Sequence, residues 1–161
     1  MPATNMSPAI VSPAIALHAR ATPGFEARVA AAAALLMRRA RRHAGRIVQA
    51  TSLGAEDQVV TDLIVRHRLP VAIATLDTGK LHAETQAAIA ATERQHGLTI
   101  ERHRPDDEAA ARFVARHGEE AMYRSVELRK AFGALRKTEP LERLLAGRDA
   151  WITGLRREQS A

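Results

Sequence analysis

Apolar residues follow two alternating rhythms along this chain. Phe25, Val29, Ala33, Leu36 and Ala40 stand three or four apart, the period that lines one helix face, and predict a helix to about His43. Arg46-Ile47-Val48-Gln49-Ala50 then reads as a short strand. A small-residue turn follows, and Val59, Val60, Leu63 and Ile64 return to helical spacing over Glu56–His67. Leu69-Pro70 closes that helix. Val71-Ala72-Ile73-Ala74-Thr75-Leu76 is apolar almost throughout, as in a strand covered on both faces of a parallel sheet. A helix from about His82 to His96 stops at Gly97, and Leu98–His103 predicts a third strand. Helical patterns follow at Asp107–His117 and from Met122 to Leu135. Thr138-Glu139-Pro140 opens a short helix with proline in its first turn, and Ala150-Trp151-Ile152-Thr153 reads as strand four.

Strands alternating with helices predict an α/β, doubly wound, mainly parallel sheet. Such sheets bind ligands outside the carboxyl ends of their strands. Three of those ends carry polar loops, Ser52–Asp57, Asp77–Lys80 and Thr153–Arg157, expected to face one crevice. In the first, a turn and a helix start bring backbone N–H groups together as phosphate holders do, and Gly54 allows close approach. The same turn also suits a plain capped helix start. Asp77 has two readings as well, a ribose hydroxyl ligand or a cap for the next helix.

Composition narrows the classes. With 161 residues the chain has length for one ordinary domain with a real core. Aromatics are only 3%, so that core rests on Ala, Leu, Ile and Val. Prolines 2, 8 and 13 break the first stretch, and Pro23-Gly24 marks a boundary. Residues 1–24 are expected to be a disordered leader rather than a secretory signal, and 25–161 the α/β domain. No run reaches transmembrane length, so no membrane partner is expected and the cytoplasm is the expected compartment. A formal charge of +6 favours an anionic partner. Cysteine is absent, which removes disulfides, thiolate-bound metal and a Cys nucleophile from these residues.

Familiar phosphate motifs are missing. Gly79-Lys80 lacks the rest of a Walker A, there is no Gly-x-Gly-x-x-Gly, and the seven histidines show no metal spacing. Arginines 38, 39, 41 and 42 complement the dipole at the end of the first helix or form a nucleic-acid patch. Arg156 and Arg157 follow strand four, where the crevice is expected, and a guanidinium fork or an ammonium suits phosphate or sulfate. A solvated charged face is the other reading, and it suits Arg129 and Arg143 better than Lys137 and Arg156.

Four stretches in order carry a family likeness: Ser52-Leu-Gly-Ala-Glu-Asp57, Leu76-Asp-Thr-Gly79, Glu127-Leu-Arg-Lys130 with Arg136-Lys137-x-Glu139-Pro140-Leu141, and Ile152-Thr-Gly-Leu-Arg-Arg-Glu-Gln-Ser160. Over roughly Phe25 to Ser160 the chain resembles the sulfonucleotide reductases, which reduce adenylyl sulfate or phosphoadenylyl sulfate in assimilatory sulfate reduction. The resemblance implies an adenine-nucleotide α-hydrolase-like (PP-loop) fold. It implies substrate contacts at Ser52, Gly54, Glu56, Asp57, Leu76, Asp77, Thr78, Gly79, Lys137, Gly154, Arg156 and Arg157. It also implies attack by a Cys thiolate on the sulfate sulfur, with thioredoxin then releasing sulfite. In adenylyl-sulfate reductases paired cysteines that ligate a 4Fe–4S cluster follow Arg-Lys-Ala; Phe132 and Gly133 stand there in this chain.

The expectation is therefore a shortened or degenerate member that binds adenylyl sulfate, or a related adenine nucleotide, without reducing it. No catalytic residue, metal or cofactor is expected in this chain, and an oligomer is possible. Two other readings stay open: an ATP-pyrophosphatase-like adenylyltransferase, and a basic nucleic-acid or protein-binding module using Arg38–Arg46. Few aromatics for base stacking make nucleic acid the less favoured partner.

Overall fold

A computed structural model describes residues 22–156 and 159 of the chain; most of the expected leader, residues 1–21, lies outside the described residues. The chain divides into two units, Met1–Ala32 and Ala33–Ala161. Helix α1 (Phe25–Arg42) begins in the first, where Phe25 is exposed, and continues into the second, where Ala33, Leu36 and Ala40 are buried.

The second unit is built on four parallel strands: β1 (Ile47–Ala50), β2 (Ala72–Leu76), β3 (Glu101–His103) and β4 (Ala150–Ile152), in the order β3-β2-β1-β4. Register sets Gln49 beside Ile73 and Val48 beside both Ala72 and Trp151. Alternate side chains leave a strand on opposite faces, so two cores form. On one face Ile73 packs with Ile64 of α2 (Ala55–Arg66), Ile89 of α3 (Ala83–His96) and Ile100. On the other, Val48 and Ala74 pack with Leu144 of α6 (Glu139–Leu145). Helices thus cover both faces, as the doubly wound reading requires.

Polar side chains are buried here too. Gln49 is fully buried in β1, yet its amide donates to the Asp57 carbonyl at 2.9 Å and accepts the Thr61 hydroxyl at 3.0 Å. Both partners belong to α2, so these bonds fix the helix against the strand. Satisfied in this way, the amide avoids the cost of an unpaired buried polar group.

Two predicted elements differ in the structure. The third strand starts only at Glu101, because the Leu98 N–H donates to the Glu93 carbonyl and the Ile100 N–H to the Glu93 carboxylate. The end of α3 takes amides that a strand would have offered its neighbour. The helix expected from Met122 to Leu135 is divided. A single 3₁₀ turn (Ala121–Tyr123) comes first, then Ser125 in an extended conformation caps α5 (Val126–Gly133), accepting the Leu128 N–H at 3.1 Å. The break expected before Thr138 is absent. The chain passes through a π turn (Ala134–Thr138) straight into α6. Pro140 offers no N–H to the carbonyl of Arg136 four residues back, and its ring crowds that carbonyl; a widened turn relieves both. Helix α4 spans Asp107–His117, as predicted.

Two outcomes follow from this packing. Gln49→Ala should lower unfolding free energy by about 2–4 kcal/mol, through two lost hydrogen bonds and a small cavity, whereas Val59→Ala on the exposed side of α2 should stay within about 0.5 kcal/mol. Urea unfolding of both variants checks this. The carboxyl of Glu127 is held below the ordinary range, first by a bond from its own backbone N–H and then by the Ser125 hydroxyl. A depressed folded value means that the stabilisation is present above the unfolded pKa and is lost as pH falls through the folded one. In an NMR titration Ser125→Ala should move the Glu127 midpoint upward.

Candidate functional site

The turn after β1 is held from both ends. Thr51 donates its N–H to the Ala74 carbonyl at 2.8 Å, and its hydroxyl accepts the Leu53 N–H at 3.0 Å. Leu53 has φ of 65°, the left-handed region that a leucine rarely occupies. Packing of its side chain against the Ile64–Ile73 cluster holds it there.

Asp57 closes the turn. From the first turn of α2 its carboxylate accepts the Ser52 N–H at 2.7 Å, the Ser52 hydroxyl at 2.6 Å and, through its other oxygen, the Gly154 N–H at 2.7 Å. It is buried and joins the loop after β1 to the loop after β4. A Cβ at Gly154 would lie 2.6 Å from both the Asp57 nitrogen and carboxylate, so glycine is needed for this approach. Arg156, two residues on, reaches back to Glu56 at 3.2 Å. Gly54 is the N-cap residue of α2 and supplies no side-chain cap. Arg157 lies outside the described residues.

The end of β2 is braced in a similar way. Asp77 is buried; it accepts the Gly79 N–H at 3.0 Å and lies 3.4 Å from the Arg104 guanidinium. It does not cap the following helix, whose N-cap is His82. Gly79 takes φ of 70°, and a Cβ there would sit 3.2 Å from the Arg136 guanidinium. Lys80 and Glu119 form an ion pair beside this loop. The Glu119 carboxyl is held below the ordinary range, mainly by the hydrogen bond from Lys80 and that ammonium's charge.

Between these loops, at the carboxyl ends of β1, β2 and β4, lies a cavity of about 310 Å³. Its polar lining comes from Thr51, Ser52, Thr75, Thr78, Thr85 and Lys137; Leu76, Leu81, Leu141 and Trp151 give the apolar part. Four of the residues expected at the site, Ser52, Leu76, Thr78 and Lys137, therefore line one space. Asp57 and Gly154 join two loops instead, Asp77 and Gly79 bond within one, and Glu56 and Arg156 pair beside the first two. Trp151 was not singled out from the sequence. Its register beside Val48, on the face of Ala74 and Leu141, was the available signal.

Lys137 is exposed on the cavity wall and has no ion-pair partner among the described residues. An unneutralised ammonium in a cavity lined by hydroxyls and an apolar wall suits a ligand with an anionic part and a flat apolar part. The place of the implied cluster cysteines offers no thiolate. The Phe132 ring lies edge-on to Phe113 at 6.0 Å and under the Arg136 guanidinium at 4.9 Å. Among the described residues no group of three or more His, Cys, Asp or Glu could hold a metal ion. These residues do not fit a 4Fe–4S cluster. No described helix is long and apolar enough to cross a membrane.

Comparison with known proteins bears on family and fold. Adenosine 5'-phosphosulfate reductase of Allochromatium vinosum is 52% identical over 130 residues, covering 81% of this chain and 51% of that protein. The Burkholderia cepacia enzyme of the same name is 45% identical over 139 residues, 86% of this chain and 55% of its own. The chain thus spans about half the length of these relatives. The crystal structure of phosphoadenylyl-sulfate (PAPS) reductase from Candida auris, a phosphate complex, has a TM-score of 0.65 at 23% identity, covering 80% of this chain and 63% of that one; this is a likeness of fold. Residues 46–161 match the phosphoadenosine phosphosulfate reductase domain, and the chain belongs to that family.

Proposed function

We infer that the cavity binds the adenine nucleotide of a sulfonucleotide, with adenylyl sulfate as the favoured ligand. One observation carries the reading: Lys137, without a carboxylate partner among the described residues, shares a 310 Å³ cavity at three strand ends with Ser52, Thr78 and Trp151. The hydroxyls and the ammonium suit the phosphosulfate. The indole and leucines offer a face for the base. Support for adenylyl sulfate over its 3'-phosphorylated form comes from the relatives' name, adenosine 5'-phosphosulfate reductase.

Binding and reduction separate here. Thiol-dependent reduction takes a thiolate nucleophile, and its release by thioredoxin is a thiol–disulfide exchange. The 161 residues contain no cysteine, and a Ser or Thr oxygen cannot pass sulfur on by that exchange. The chain alone is therefore a nucleotide binder. Asp57, Asp77 and Gly154 serve this function by shaping the loops, and Arg156, paired with Glu56, ties the loop after β4 to the first turn of α2.

Thermal denaturation with AMP or adenylyl sulfate tests the reading. Either ligand should raise Tm, with Lys137→Ala weakening affinity by about tenfold and Arg66→Ala, at the far end of α2, leaving it unchanged. The absence of any shift at millimolar nucleotide would overturn the assignment. With adenylyl sulfate and reduced thioredoxin, no sulfite should form; sulfite from this chain would refute the separation of binding from reduction.

A further inference from the structure

Arg136 is the one buried cation of the described residues, 6% exposed, and it makes no ion pair among them. One guanidinium nitrogen donates to the Thr78 carbonyl at 2.6 Å, the Nε–H has no hydrogen-bond partner among the described residues, and the group stacks on Phe132. A buried charge without a carboxylate is costly. It persists where its remaining contacts hold it, and here those are a carbonyl dipole and an aromatic face. The residue sits in the π turn directly before Lys137, and such turns concentrate at functional positions.

We propose that Arg136 is a positioning residue of the cavity: its guanidinium, steadied on Phe132, grips the Thr78 carbonyl and holds the Asp77–Gly79 turn against the segment that carries Lys137. This rests on the reading of the cavity as a nucleotide site, although the grip itself can be measured without nucleotide. Phe132 is anchored in turn by Phe113, whose ring also lies 4.9 Å from that of His117. An aromatic stack thus occupies the position where the family resemblance places cluster cysteines, and it fixes the loop with no metal. Gly79 belongs to the same device, because its Cβ-free backbone lets the guanidinium approach.

Amide hydrogen exchange in the full chain decides between positioning and general stabilisation. Gly79, whose N–H bonds to Asp77, reports the turn; the β1 amides report global opening. In Arg136→Met and in Phe132→Leu the Gly79 amide should exchange about tenfold faster relative to β1. Phe132→Tyr, which keeps a π face, should restore the wild-type ratio. AMP affinity, measured by calorimetry, should fall and recover in the same order. An unchanged Gly79 ratio in Phe132→Leu, or equal acceleration of Gly79 and β1, overturns the proposal, and Phe132→Leu decides the matter even if Arg136→Met fails to fold. If wild-type chain binds no AMP, the nucleotide reading falls, while the Gly79 ratio still tests the grip.

Discussion

The carboxylate of Asp57 organises the site. It accepts three hydrogen bonds, two from Ser52 and one from Gly154, and those donors are separated by about a hundred residues of chain. A buried carboxylate is expensive unless its lone pairs are filled, and charge-assisted bonds are the strong kind. Once filled, it pins the loop after β1 to the loop after β4 and keeps both on the first turn of α2, where the helix dipole favours negative charge. The cavity takes its outline from that knot. Leu53 can remain at positive φ because the ends of its turn are fixed on either side.

The sequence pattern revealed the fold because each strand and helix there has a distinct period. Four strands, a mainly parallel sheet and the loaded carboxyl ends are legible in the apolar runs, whereas the strand order β3-β2-β1-β4 is not. The third strand was overestimated at Leu98–Ile100, since nothing in a run of apolar residues tells which amides a preceding helix end will claim. The π turn was likewise hidden. It follows from Pro140 only when the helix is known to continue through Thr138, and proline is as much at home in a first turn.

Site chemistry was legible at a coarser level. Ser52, Leu76 and Thr78, expected near strand ends, and Lys137, implied by the family resemblance, line one cavity. Asp57 and Asp77 looked the same in sequence as possible ligand contacts, yet Asp57 accepts from Ser52 and from Gly154 across the site, and Asp77 from Gly79 in its own loop beside Arg104. Pairing of this kind depends on three-dimensional proximity, and spacing along the chain cannot report it. For Trp151 the sequence indicates only a position in strand four, whereas the indole is half exposed, 49%, and lines the cavity.

The excess positive charge acquires meaning from this distribution. Near the site the acids are engaged: Glu56 with Arg156, Asp77 with Arg104, Glu119 with Lys80. Lys137 on the cavity wall and Arg136 immediately behind it make no ion pair among the described residues. The two differ in kind. Lys137 is exposed and free to meet a ligand anion. Arg136 is already committed to the Thr78 carbonyl and the Phe132 face, so its charge contributes at a distance while its geometry sets the wall. With neither charge neutralised by a carboxylate among the described residues, the arrangement favours an anion between the strand ends, which supports the ligand proposed for this cavity.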